Sequence, residues 1–178
     1  MGVFKRVLFI GFLAISASDG FGDDRSALSS DSTLTEQIKE KADAAKAKSP
    51  HEKQAIMEKA IDDLRKSKIV EQALKKGNTM PMFALPDVTR GRVKSDELLK
   101  KGPLVVVFYR GGWCPYCNLQ LNDLQKHLAK IQSLGAQLVA ISPQTPDNSV
   151  ATAEKAQLKF YVLSDVGNKM ARQFGLVY

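Results

Sequence analysis

Short apolar runs alternate with longer stretches in which apolar residues recur every three or four positions, most clearly from Gly77 onwards. Residues 104–109, Leu-Val-Val-Val-Phe-Tyr, are apolar and rich in β-branched side chains, which predicts a buried central strand. Residues 137–141 and 160–163 predict two more strands, and residues 80–85 a short one. Between them, residues 115–133 place Leu121, Leu124, Leu128 and Ile131 on one helical face and stop before Gly135. His127 falls off that stripe. Residues 145–158 predict a helix opened by Pro146, and residues 167–174 a last one. Ser95 is expected to cap a short helix closed by Gly102, after a turn over residues 89–92 that carries Gly91. Strand–helix–strand repetition of this kind predicts an α/β domain with right-handed crossovers and a mainly parallel sheet. Its working site belongs at the carboxyl ends of the strands.

Upstream the pattern is different. Lys5 and Arg6 precede an apolar run over residues 7–17 that is too short to span a bilayer, and Ala14, Ser16, Ala17 and Ser18 are small. This is the pattern of a secretory signal peptide cleaved within residues 16–22, with an uncleaved membrane anchor as the alternative. Arg6 stands where a myristoylation motif requires Ser or Thr. A polar linker follows. Thr33 and Glu36 have capping-box spacing and open a helix to about Lys48. Ser49, Pro50 and Glu52 repeat the signal, with Ser49 as cap, Pro50 at the first helical position and His51 solvated in the first turn. Ile56, Met57, Ala60, Ile61 and Leu64 then share one face, and a further helical piece over residues 69–76 ends at Gly77. The expected division is a signal peptide over 1–22, a linker and helical extension over 23–76, and the α/β domain over 77–178. The extension is expected to pack on the domain or on a second subunit.

At 178 residues with 44% apolar content the chain suits one domain with an appendage. The net charge of +7 is spread over lysine-rich helices without interleaved aromatics. It reads as a solvated surface, with nucleic-acid binding the weaker alternative. Once the signal peptide is removed, no membrane span is expected.

Chemistry concentrates at one junction. Gly111 and Gly112 break the central strand, and Trp113-Cys114-Pro115-Tyr116-Cys117 opens the next helix. Pro115 suits the first helical position, so Cys114 becomes the N-cap and Cys117 sits one turn in. Both sulfurs would feel the unsatisfied N–H groups and the positive end of the helix dipole, which favours thiolates. These are the only two cysteines in the chain, and the pair forms a dithiol able to close to a disulfide and reopen. Two other readings stand beside the redox one. Half a zinc site would have to recruit His51 and His127, which lack ligand-like spacing, and an inert structural disulfide is the other. No metal or cofactor is expected. Trp113 and Tyr116 either line a substrate surface or pack the loop, and Pro115 lies where intervening residues tune reduction potential.

Cys114-Pro115-Tyr116-Cys117 after a tryptophan is similar to the active sites of thioredoxins and glutaredoxins. Residues 77–178 more widely resemble a peroxiredoxin of the alkyl hydroperoxide reductase/thiol-specific antioxidant family, in a branch carrying CxxC. The resemblance is carried by residues 80–87, Gly91, residues 98–103, 108–113, 138–142 and 162–165, most specifically by residues 109–118. The family places Pro, Thr or Ser, and the peroxidatic Cys at spacing P-x3-T-x2-C. On this chain those positions hold Arg110, Cys114 and Cys117. A second thiol thus replaces the hydroxyl that helps hold the peroxide, and Arg110 either stabilises a thiolate or is a solvated loop residue.

The resemblance implies a thioredoxin-like fold, which continues with an antiparallel strand pair and a final helix. The chain ends at Tyr178 before such a segment, so a truncated domain is expected, with the strand over residues 104–109 paired to residues 137–141 and to nothing on its other side. Three functions follow as expectations. The first is a thiol-dependent peroxidase in which Cys117 attacks a hydroperoxide and Cys114 resolves it, reset by a thioredoxin-like or small-thiol donor. The second is a thiol-disulfide oxidoreductase in which an exposed Cys114 attacks protein disulfides. The third is a truncated binding domain without catalysis. The signal peptide implies export to a periplasmic or extracellular space, where the pair rests as a disulfide.

Overall fold

The computed structural model describes residues 32–88 and 91–176; the signal peptide read in residues 1–22, and the linker to residue 31, lie outside the described residues. Five strands form one sheet: β1 (Ala84–Asp87), β2 (Gly91–Lys94), β3 (Leu104–Phe108), β4 (Gln137–Ser142) and β5 (Tyr161–Ser164), in the order β2-β1-β5-β4-β3. The β3-β4-β5 half is parallel. β1 pairs antiparallel with both β2 and β5. The strand predicted as buried and central, β3, lies instead at the sheet's edge with Val105 exposed, bonded to β4 alone among the described strands, which is the pairing expected for residues 104–109.

Side chains alternate across the sheet and feed two cores. Val139 and Ile141 of β4 and Leu163 of β5 face one way, with Phe83, Leu98 and Met170. That face is covered by α4 (Ser95–Leu99) and α7 (Lys169–Gln173). Leu138, Ala140 and Val162 face the other way and meet Leu121, Leu128 and Tyr109. Here the cover is α5 (Pro115–Ser133) and α6 (Pro146–Lys155). The stripe expected on α5 is the buried one, with Leu121 fully enclosed and Leu128 nearly so. Each such side chain contributes about 1.5–3 kcal/mol when removed from water. This burial holds the first turn of α5 against the end of β3.

The extension contains α1 (Leu34–Ala47), α2 (His51–Lys66) and the single turn α3 (Ile69–Gln72). Thr33 and Glu36 form the expected capping box. The second cap is not formed as expected: Pro50, not Ser49, is the N-cap of α2, and no side chain caps it. Gln54 instead donates to the carbonyl oxygens of Lys46 and Ser49, closing the turn between the two helices. The piece expected over residues 69–76 stops at Ala73, because the Leu74 N–H donates to the carbonyl of Phe174 at 3.2 Å and draws the chain onto the domain. Packing against α5 is made by α1. The apolar face of α2 stays in solvent, with Ile56, Met57 and Ile61 each about half exposed or more.

Three further expectations shift. The strand placed at residues 80–85 begins at Ala84, and residues 91–94, expected within or beside a turn, form β2 instead. Ser95 is the first residue of α4 and not its cap; its hydroxyl accepts the Phe83 N–H at 2.9 Å and ties α4 to the chain before β1.

Candidate active site

The dithiol sits where β3 hands over to α5, and the local geometry follows from four residues. Gly111 adopts φ +146, and a side chain there would run into the Trp113 ring. The Gly112 N–H donates to Gln144 Oε1 at 2.7 Å, and its carbonyl accepts from Asn118 Nδ2 at 2.8 Å. A Cβ on Gly112 would lie 2.0 Å from Thr152 Oγ1, so α6 presses directly on this loop. Pro115 opens α5 and Cys114 is its N-cap, its sulfur accepting the Cys117 N–H at 3.4 Å. The two sulfurs are 2.7 Å apart as thiols. Side-chain movement of under an ångström brings them to the disulfide bond length of about 2.05 Å.

Access to the two sulfurs is unequal. Cys114 is 2% exposed, which corrects the expectation of an exposed N-cap thiol. Cys117 is half-buried and lines a cavity of ≈ 660 Å³ at the carboxyl ends of the parallel strands. Arg110 and Trp113 form part of its wall, with Ser142 beyond β4 and Asp165 beyond β5 opposite. The Arg110 guanidinium lies over the exposed Trp113 ring, 4.7 Å from its centre. Tyr116 points elsewhere, into a groove between α1 and α2. Beneath the site Tyr109 is buried in the α5-side core, and burial pushes its phenol up.

Charge is unequal in the opposite sense. Burial by itself would raise the Cys114 thiol. The Cys117 thiol and N–H, the Arg110 charge and the Tyr116 N–H together outweigh it and hold Cys114 below the ordinary range. Burial pushes Cys117 up, and so does its donation to Cys114, against the N–H groups of Arg110 and Gly111. The helix start therefore does not lower both thiols as expected. Two thiols this close titrate as a pair that shares one charge, and each sulfur has backbone N–H groups to receive it. The first proton of the reduced pair should leave below the ordinary thiol pKa, read as thiolate absorbance against pH. Cys117→Ala should move the Cys114 midpoint upward by removing its donor. A wild-type midpoint at or above the ordinary value contradicts this account.

The histidines weighed as zinc ligands are not gathered here. His127 faces outward on α5, with Nδ1 2.9 Å from the Asp123 carbonyl oxygen, and His51 is exposed on α2. Among the described residues no group of three or more His, Cys, Asp or Glu is placed to hold a metal ion. Among those same residues, no helix is long and apolar enough to cross a membrane. Sequence reasoning missed Gln144, Asn118 and Thr152, because their hold on Gly112 depends on where α6 and α5 pack and carries no local signal.

The model of the AhpC/TSA family matches residues 76–178. Peroxiredoxin Q, chloroplastic, of Sedum lineare is 36% identical over 113 residues, 64% of this chain and 60% of that protein. Among solved structures, the peroxidoxin BcpB of Mycobacterium tuberculosis is 29% identical with a TM-score of 0.55, covering 57% of this chain and 66% of that one. A putative thiol:disulfide interchange protein DsbE from Chlorobium tepidum is 28% identical with a TM-score of 0.52, covering 59% and 73%. The fold is thus thioredoxin-like. The chain spans about half to two thirds of the length of the curated relatives it matches.

Proposed function

Because the chain belongs to the AhpC/TSA family, we propose that it is a thiol-dependent peroxidase of the peroxiredoxin type, with Cys117 as the attacking thiol and Cys114 as the resolving one. The observation that carries the assignment is access. Cys117 faces the strand-end cavity, while Cys114 lies 2% exposed behind it at 2.7 Å. A small hydroperoxide can enter that cavity, whereas a protein disulfide would have to open the loop to reach Cys114.

The Cys117 thiolate attacks the terminal oxygen of the hydroperoxide. The S–O bond forms as the O–O bond breaks, and Cys117 keeps the terminal OH as a sulfenic acid. The departing alkoxide takes from solvent the proton that the thiol released on ionising, and leaves as the alcohol. Cys114 then attacks the Cys117 sulfur and expels water, leaving the disulfide. A dithiol protein or a small thiol returns two electrons and two protons. With Cys114 in place of the family's Thr or Ser, the N–H groups of Arg110 and Gly111 and the Arg110 guanidinium are left to meet developing negative charge. Preorganised donors of this kind are worth about 10²–10³ each in rate.

The test is the stopped-flow change in Trp113 fluorescence when the reduced protein meets hydrogen peroxide. The expected second-order rate is at least about 100-fold above that of free cysteine at the same pH. A rate no faster, from protein shown folded by near-UV circular dichroism, removes the peroxidase reading. Disulfide exchange through Cys114 is then the second reading, favoured by one observation: Cys114, not Cys117, is the thiol held below the ordinary range. The similarity to a putative thiol:disulfide interchange protein supports the same alternative. Lys5, Arg6 and the apolar run after them support export, with anchoring by that run as the alternative.

A further inference from the structure

The helical extension lies outside the segment that matches the family, yet it reaches the active-site turn. Tyr116, one of the two residues between the cysteines, forms a wall of a groove of ≈ 570 Å³ whose other walls come from α1 and α2. Met57 and Ile61 supply its apolar floor and remain 55% and 49% exposed. Lys46, Lys48 and Lys53 stand along it, facing a single carboxylate, Glu58, which pairs with Lys46 at 3.5 Å. The apolar surface does not stop at the groove. Ile56 and Leu64 continue it along α2, at 63% and 37% exposure. Scattered exposed apolar residues are ordinary, but a stripe continuous with a groove beside a reactive dithiol marks an interaction surface.

We propose that this groove docks the protein that reduces the Cys114–Cys117 disulfide. The occupant is a dithiol protein that presents an apolar anchor ringed by acidic residues. The inference rests on the reading above that the dithiol cycles through a disulfide. Three features select such a partner. The lysines and the amino end of α5 make the surface positive, so an acidic rim is complementary. Methionine and tyrosine at the centre with charge outside is the composition of a protein interface. The apolar stripe runs past the groove, which a flat protein surface can cover and a single small molecule cannot. Tyr116 joins the groove to the turn that holds both sulfurs, so a partner seated there is brought to the disulfide. One donor thiolate attacks the Cys117 sulfur, the more accessible of the two, forming a mixed disulfide and releasing Cys114 as thiolate. The second donor thiol then attacks the mixed disulfide. Two electrons and two protons have passed to the pair, and the donor leaves as its own disulfide.

The experiment begins from the whole 178-residue chain oxidised with diamide, and follows the appearance of its thiols by acid quench, alkylation and mass. Thioredoxin is the protein reductant and dithiothreitol the control. Met57→Glu with Ile61→Glu, and separately Lys48→Glu with Lys53→Glu, should slow reduction by thioredoxin at least about tenfold. Reduction by dithiothreitol should stay within about twofold of wild type. All four positions are exposed, so the fold does not depend on them. Unchanged reduction by thioredoxin overturns the proposal, as does equal slowing with both reductants. A raised KM for an acyl hydroperoxide, with thioredoxin reduction unaltered, overturns it in favour of a groove for an anionic amphiphile. The assay starts from the disulfide and needs no peroxide, so its failure is distinct from failure of the peroxidase reading.

Discussion

Cys117→Ser should lose the reaction with peroxide, by at least about 10³-fold in turnover, while Cys114→Ser should keep the first step and stop after it. The asymmetry comes from the cavity. Cys117 is the sulfur that a small substrate meets, and its serine replacement leaves only the enclosed Cys114 thiol. In Cys114→Ser the attacking sulfur remains, but nothing resolves its sulfenic acid. That variant should consume one equivalent of peroxide, gain one oxygen in mass and label with dimedone. The substitution also supplies a hydroxyl where the family pattern has Thr or Ser, and serine is a favoured N-cap, so α5 keeps its start and the first step is not slowed. Mass spectrometry after one peroxide addition, beside a coupled turnover assay, reads both variants. A mixed disulfide with a substrate protein that accumulates in Cys117→Ser and not in Cys114→Ser would assign the attack to Cys114 and exchange the two roles.

The second large effect is expected at Gly112, which touches no substrate. An alanine Cβ there would lie 2.0 Å from Thr152 Oγ1 and 3.1 Å from Thr152 Cβ. Either the loop lifts or α6 moves. Overpacking of this kind costs about 1–3 kcal/mol. The loop that lifts is the one whose carbonyl and N–H are held by Asn118 and Gln144, and the enclosed Cys114 is tied to it through its N–H, which donates to the Gly111 carbonyl at 3.0 Å. Gly112→Ala should therefore lower the denaturation midpoint and expose Cys114 to Ellman's reagent. Thr152→Ala alone gives up a long hydrogen bond to the Asn148 carbonyl, at 3.4 Å, and one buried methyl group. Combined with Gly112→Ala it removes the 2.0 Å contact and should recover at least about 1 kcal/mol of the loss. The recovery is partial, because the Cβ of residue 152 still stands close. Strictly additive effects in the two single and one double variant would show that the loop yields without involving α6.

Much of the domain was legible along the chain because its signals are local. Pro115 at the first helical position, Cys114 before it and the stripe from Leu121 to Ile131 defined α5, and β4 and β5 were found to within a residue. Thr33 and Glu36 marked α1 for the same reason, since a capping box is complete within four residues. Ser49 and Ser95 carried equally good cap signals and neither is a cap. In each case a longer-range bond prevailed: Gln54 closes the α1–α2 turn, and the Ser95 hydroxyl serves Phe83, 12 residues away. β2 was missed because four residues with one buried side chain, Val93, give no readable alternation.

The amino-acid sequence by itself determined that two cysteines would share one helix start at the end of an apolar strand, since residue type and spacing settle that within a few bonds. Only the tertiary structure decided that they are unlike. α6 packs on the loop at Gly112 and Cys114 beside it is enclosed, while the open ends of β4 and β5 leave Cys117 facing a cavity. Donation from Cys117, with the Arg110 charge and nearby amides, holds the Cys114 thiol down. Access and charge at a sulfur are sums over neighbours distant in sequence, so they exist only once β3, α5 and α6 have met.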